Sequence, residues 1–286
     1  MREFGDHTMR ALSAPRDGSE QLSPVTSLEG GAAVVVLGAS NVSRGIARLA
    51  AVATARQPGP VDLFVAAGHG RSYGANSRVL MRRLPSILGS GLWRALDREG
   101  VGDGRPVQAL VTDIGNDLLY GFSVEQVAEW VRESLARLSA RGAAVAVTRL
   151  PLASVDRVGP LQYRALRTLY VPGCPLSLDA LKEAVRRLDA EVVAAAAEHD
   201  AAVLDQPGDW YGLDAMHVRR RCLDTLWHRA CDAWGCGPAS SVGWAGLARW
   251  AMLGSRAAEV RSLAYVPLFT PQPAYRGRDA LRAWLY

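Results

Sequence analysis

Four short blocks carry groups that can do acyl-transfer chemistry, and each follows an apolar run. Gly38-Ala39-Ser40-Asn41 offers a hydroxyl, and Gly68-His69-Gly70-Arg71-Ser72-Tyr73-Gly74 a glycine-rich turn. Asp113-Ile114-Gly115-Asn116-Asp117 offers a side-chain amide, and Asp214-Ala215-Met216-His217 an acid and an imidazole three residues apart. A serine hydroxyl is a weak nucleophile, so it needs an imidazole to take its proton and a carboxylate to hold that imidazole's tautomer. On a tight loop, the Asp214–His217 spacing lets the carboxylate accept from one ring nitrogen while the other faces the serine. Ser40 is then the candidate nucleophile, His217 the base and Asp214 its orienter. The oxyanion of a tetrahedral intermediate needs fixed donors, which the backbone N–H of Ser40 at a helix N-terminus, the N–H of Gly68 and the Asn116 amide can supply. Losing one such donor typically costs about 3 kcal/mol of barrier. Arg71, Tyr73 and Arg149 fall near strand ends, where they could bind a polar or anionic part of a substrate; a solvated rim is their plainer reading.

Rival readings exist for each group. Serine between a strand and a helix is an ordinary N-cap, a role compatible with catalysis. Asn116 and Asp117 can cap or turn the chain, and His217 can be a surface histidine. Gly70-Arg71-Ser72-Tyr73-Gly74 is a literal GxSxG between a strand and expected helical material, so Ser72 competes as the nucleophile of an elbow-type α/β-hydrolase. Too little sheet precedes it for that fold, and Gly70 competes with Gly68 as donor. His69 is the substitute base. Trp210 and Tyr211 can wall an acyl or sugar pocket, or simply pack in the core. A dinucleotide site is disfavoured because, aligned on Gly38, the later glycines of GxGxxG fall on Ser40 and Ser43, and no GxxxxGK[ST] loop is present.

The elements that must position these groups alternate. Ala33–Leu37, Val61–Ala67, Val107–Thr112, Ala143–Thr148 and Ala201–Leu204 read as short buried strands. Helical patterns lie between them, over Val42–Arg56, from Ser123 to Gly142 with Gln126 completing a capping box, from Ser177 through His199, and over His217–Trp234 before Gly235. Helical material broken by Pro85 and Gly89 fills the gap after the second strand. Five such strands imply a three-layer α/β/α domain over 32–236 with a central, mainly parallel five-stranded, flavodoxin-like sheet, and ligands at the carboxyl ends of its strands. Residues 1–31 are polar and aperiodic and read as a mobile tail. Residues 237–286 read as an appendage of unknown role: a short apolar helix over Trp244–Leu253, an extended piece over Ala264–Phe269 and a terminal turn over Asp279–Tyr286.

The four blocks, in this order and at these strand ends, resemble those of the SGNH (GDSL-like) hydrolases over roughly Val34 to Trp234. The resemblance implies a serine esterase in which Ser40 is the nucleophile, Gly68 and Asn116 join Ser40 in the oxyanion hole, and Asp214 and His217 complete the triad. Two departures stand out. Ala39 replaces the acid of Gly-Asp-Ser, which usually braces the nucleophile's loop, and Ile114 replaces the first glycine of Gly-x-Asn-Asp. They leave open a catalytically silent module that binds an acyl or sugar ligand. An acyltransferase would use the same residues as an esterase.

Composition narrows the class. In 286 residues, 49% are hydrophobic and 21% charged, enough apolar material for a full core and too much for a disordered chain. The net charge of +5 is dispersed and the densest run is Arg219-Arg220-Arg221, so nucleic-acid binding has little support. No secretory signal and no apolar run long enough to span a bilayer is found, which leads to the expectation of a cytoplasmic protein. The four cysteines form no CxxC pair and read as reduced and structural. The expected partner is a small ester, with no metal or organic cofactor; oligomeric state is not legible.

Overall fold

The computed structural model describes residues 31–79, 82–239, 251–253, 261–263, 266–268, 270–277 and 280–286. Its first half runs β1 (Ala32–Leu37), α1 (Ser40–Arg56), β2 (Val61–Ala66), β3 (Ser77–Val79), β4 (Arg82–Leu84), α2 (Leu92–Arg98), β5 (Val107–Val111), α3 (Asn116–Leu119), α4 (Val124–Ser139) and β6 (Ala143–Thr148). There follow α5 (Leu152–Asp156), α6 (Pro160–Tyr170), α7 (Leu178–Glu198), β7 (Ala202–Leu204), α8 (Arg220–Ala233), β8 (Arg261–Leu263), β9 (Val266–Leu268), β10 (Tyr275–Arg276) and β11 (Leu281–Leu285).

The central sheet has the order β10-β11-β2-β1-β5-β6-β7, and every pairing is parallel except β10 with β11. Alternate residues of β1 serve opposite layers. Ala33, Val35 and Leu37 face a core with Leu92 and Leu96 of α2, Val127, Val131 and Leu135 of α4, and Leu188 and Val192 of α7. Val34 and Val36 face Ile46 and Leu49 of α1 and Leu223 and Trp227 of α8. Both faces being covered explains why the strands read as unbroken apolar runs rather than alternating ones. The expected caps form: Ser123 Oγ accepts Gln126 N and Ser177 Oγ accepts Ala180 N, both at 3.2 Å. The three-layer α/β/α class is as expected from the sequence.

Two expectations need correction. The sheet has seven strands rather than five, because Tyr275–Arg276 is β10 and the segment expected as a terminal turn holds β11, which lies parallel to β2 with Arg282 opposite Asp62. Trp284 stacks on Phe64 with ring centroids 4.4 Å apart, and Tyr286 N donates to Val65 O at 2.8 Å. The 237–286 segment thus supplies part of the central sheet. The region after β2, expected as helical material broken by Pro85 and Gly89, is a β3–β4 hairpin before Pro85 and becomes helical only at α2, beyond Gly89. Of the expected apolar helix over 244–253, residues 251–253 are helical and the rest lies outside the described residues, as do residues 1–30 of the expected tail. Val266–Leu268 is extended as expected.

Candidate active site

Ser40 opens α1, immediately after β1, and is buried. A helix start leaves its first N–H groups without intrahelical partners. Here one carboxylate from the next strand end satisfies most of them. Asp113 Oδ2 accepts Ala39 N at 2.7 Å, Asn41 N at 3.0 Å and Val42 N at 3.4 Å, while Asp113 Oδ1 accepts Asn41 Nδ2 at 2.7 Å. Ser40 is skipped: among the described residues neither its N–H nor its hydroxyl has a hydrogen-bond partner. Asp113 itself holds a left-handed conformation, φ +59°, which a non-glycine residue adopts at a cost of about 1 kcal/mol or more. Sequence reasoning missed this residue. Asp113 supplies from the third block the loop brace that Ala39 cannot.

The histidine loop is fastened to the same turn. Asn41 Nδ2 donates to Met216 O at 3.2 Å and Asn41 Oδ1 accepts Val218 N at 3.0 Å, so the residue after Ser40 clamps both neighbours of His217. Arg44 adds a bond to Val218 O at 3.2 Å. His217 Nδ1 is hydrogen-bonded to Asp214 Oδ2, and Asp214 Oδ1 accepts Met216 N at 2.8 Å. With the proton on Nδ1 toward the carboxylate, Nε2 is left as the basic nitrogen. Burial pulls the Asp214 carboxyl upward, but its bonds from His217 and the Met216 N–H outweigh this and hold it below the ordinary carboxylate range. The Tyr170 ring of α6 meets the His217 ring edge-on at 5.9 Å between centroids.

Asn116 begins α3 behind Gly115, whose φ of +117° suits glycine and whose missing Cβ would lie 3.3 Å from Leu150. The glycine next to Asn116 is therefore required even though Ile114 stands where another would be. The Asn116 amide is uncommitted among the described residues. Ser40 and Asn116 line one cavity of about 110 Å³ whose remaining wall is largely apolar: Leu150, Val158, Leu166, Leu181 and Val185 from α5, α6, α7 and their connections, with Tyr211 and Met216 on the histidine side. Gly68 follows β2, and the β1–β2 register puts it level with Ala39 on the same rim, outside that cavity. Gly70 is left-handed at φ +66°, and its carbonyl accepts the Tyr120 hydroxyl at 2.8 Å.

Several candidates have structural work instead. Arg71, nearly fully buried, donates to the carbonyls of Ala67, Pro85, Ser86 and Tyr286, and so ties the end of β11 to the β2 turn rather than offering a guanidinium to a ligand. The buried Tyr73 hydroxyl donates to Thr112 O at 2.6 Å, and burial pushes its pKa well up. Arg149 pairs with the buried Asp189, Nη2 to Oδ2 at 2.5 Å. These three are braces; strand-end position alone does not tell a side chain bonded within the fold from one turned to a ligand. Ser72 is fully buried, its Oγ accepts Ala75 N at 2.9 Å, and a strand rather than a helix follows it, so the elbow geometry is missing. His69 is exposed beside Gly68. Trp210 packs in the core under the Arg229 guanidinium, 4.8 Å from its ring centroid, and only Tyr211 reaches the cavity. Among the described residues no group of three or more His, Cys, Asp or Glu side chains is placed to hold a metal ion, and no helix is long and apolar enough to cross a membrane.

The four blocks thus lie along one rim of the sheet. By shape the chain is similar to several solved structures. A member of the lipolytic G-D-S-L family from Veillonella parvula aligns at 15% identity with a TM-score of 0.41, over 70% of this chain and 97% of that one. The esterase EstA of Pseudoalteromonas sp., inhibited by monoethylphosphonate, aligns at 13% and 0.40 over 70% and 95%. The inhibitor-bound aryl esterase of M. smegmatis aligns at 10% and 0.46 over 70% and 96%. No protein-family model and no curated protein sequence matches.

Proposed function

We propose that the protein is a serine esterase that cleaves esters of an apolar acyl group through an acyl-Ser40 intermediate. The observation that carries this reading is the selective capping of α1: Asp113 takes the N–H groups on both sides of Ser40 and leaves Ser40's own N–H and hydroxyl free. Ala39, not Ser40, holds the N-cap position, so the ordinary capping role does not account for the serine. His217 Nε2 takes the hydroxyl proton as Ser40 Oγ attacks the ester carbonyl, and Asp214 stabilises the imidazolium. The Ser40 N–H, the Gly68 N–H and the Asn116 amide receive the oxyanion, and His217 returns the proton to the departing alcohol. Water, deprotonated by the same histidine, releases the acid and restores Ser40. The cavity wall of Leu150, Val158, Leu166 and Leu181 fits an apolar acyl chain, with Arg167 and Gln206 as polar members of the lining.

Labelling with a fluorophosphonate probe and mapping the modified peptide tests the reading. The adduct is expected on Ser40, lost in Ser40→Ala together with hydrolysis of aryl esters and unaffected in Ser72→Ala. An adduct on Ser72 would transfer the assignment to an elbow-type enzyme. Folded protein with neither adduct nor turnover would make it a ligand-binding module.

A further inference from the structure

A second cluster of reactive groups lies at the opposite end of α1, about 25 Å from Ser40 along the helix. α8 ends in a Schellman turn, with Gly235 left-handed at φ +69° and Cys236 N donating to Cys231 O at 2.9 Å. That motif sets the side chains five residues apart against each other. Here both are cysteines, placed on the two sides of the turn that the Cys236 N to Cys231 O bond closes. Cys236 Sγ accepts Gln57 Nε2 at 3.3 Å and Gln108 Nε2 at 3.4 Å, from the end of α1 and from β5. Arg56 donates to Cys236 O at 3.1 Å, which brings its positive charge to the same residue. The other charged or titratable neighbours are Asp232, 2.6 Å from Arg56, and His228, whose Nδ1 is 3.4 Å from it.

A neutral thiol is a poor acceptor and needs no such surroundings; two amide donors and a nearby guanidinium are what a thiolate needs. We propose that Cys236 is a peroxide-reactive thiolate and Cys231 its resolving thiol. The Cys231 thiol does most to hold the Cys236 thiol down, burial opposes it, and Arg56, Gln108 and Gln57 assist, leaving it at about 7. Cys231 is pushed up, first by Cys236 and then by burial. Cys236 is also the more accessible of the two, Cys231 being buried. In the first step the Cys236 sulfur attacks one peroxide oxygen, the O–O bond breaks, and hydroxide leaves and takes up a proton, giving a sulfenic acid and water. In the second the Cys231 sulfur displaces that oxygen, its proton leaving with the hydroxyl as water. The disulfide formed accounts for the two electrons the peroxide accepts.

Alkylation of the full chain by iodoacetamide, followed by peptide mass mapping across pH, reads the thiolate directly. Cys236 is expected to react with a midpoint near pH 7, against about 8.5 for an ordinary cysteine, and Gln108→Ala to move that midpoint upward. One equivalent of hydrogen peroxide is expected to remove two hydrogens from the peptide pair bearing Cys231 and Cys236, reversibly with a thiol reductant. In Cys231→Ser, dimedone should instead trap a sulfenic acid on Cys236. An ordinary alkylation profile on the unmutated chain, or oxidation that joins Cys236 to Cys174 or Cys222, overturns the proposal. Neither readout depends on the esterase reading, since neither involves Ser40.

Discussion

Asp113 braces the Ser40 turn from a strand away, by accepting the N–H groups on either side of the serine. Removing it as Asp113→Ala leaves three N–H groups and the Asn41 amide short of an acceptor. The expected result is a loss of about 2 kcal/mol of stability, read as a lower melting temperature, and a fall in kcat as the serine turn loosens. Asp113→Asn, which keeps one acceptor oxygen, should recover part of both. Asn116 separates differently. Its amide is uncommitted, so Asn116→Ala is expected to leave the melting temperature unchanged and to lower kcat by about 10²- to 10³-fold with little change in KM. A rise in KM with kcat little changed would mean that the amide holds substrate rather than the oxyanion. Asp214 is held below the ordinary carboxylate range and so is ionised at neutral pH, as the partner of an imidazolium must be. Asp214→Asn is therefore expected to lower kcat sharply at neutral pH, and an unchanged kcat would remove the pair from the mechanism.

At the scale of elements, the strands, the caps and the four blocks were legible in the sequence, because short β-branched runs, Ser123 with Gln126, and Ser177 each carry a local signal. What was not legible is which side chain meets which across the rim. Nothing in the spacing says that Asp113 turns toward α1, or that Arg71 turns inward to four carbonyls and away from substrate. β11 was missed for a related reason: Leu281-Arg282-Ala283-Trp284-Leu285 is short and interrupted by a charge, and the arginine makes sense only beside Asp62 of β2. The α5–α6 excursion carries the apolar cavity wall, and this gives a prediction at its own scale. Leu166→Trp on α6 should fill the space beside Ser40. Hydrolysis of acetyl esters is expected to survive while that of longer acyl esters falls, measured as kcat/KM along a chain-length series. A uniform loss across the series would mean that the acyl group lies elsewhere.

For the whole molecule, the question is whether the sheet can do without its late strands. Asp62 in β2 is buried between Arg282, which approaches bidentately with Nε at 2.6 Å and Nη2 at 2.5 Å, and Arg105, whose Nη1 lies at 2.6 Å. Burial pulls this carboxyl up, but the two guanidinium groups outweigh it and the net shift is downward. A carboxylate depressed in the folded state contributes stability that is present above its unfolded value and is lost as pH falls through the folded one. A chain ending at residue 238 loses one of those partners and also uncovers β2, all of whose residues are buried. It further loses Leu281, Trp284 and Leu285, each worth roughly 2 kcal/mol of burial, a sum that rivals the 5–15 kcal/mol by which ordinary domains are stable. The truncated chain is therefore expected to show no cooperative thermal transition at neutral pH and no ester hydrolysis. Arg282→Met, which keeps β11 and deletes only its charge, should fold at neutral pH. Its melting temperature should also fall less on acidification than that of the unmutated chain, because it has less Asp62 pairing to lose. A cooperative, active truncated chain would make the segment after Gly237 a cover on a complete five-stranded domain, and would place the stability of β2 in the α1–α8 layer instead.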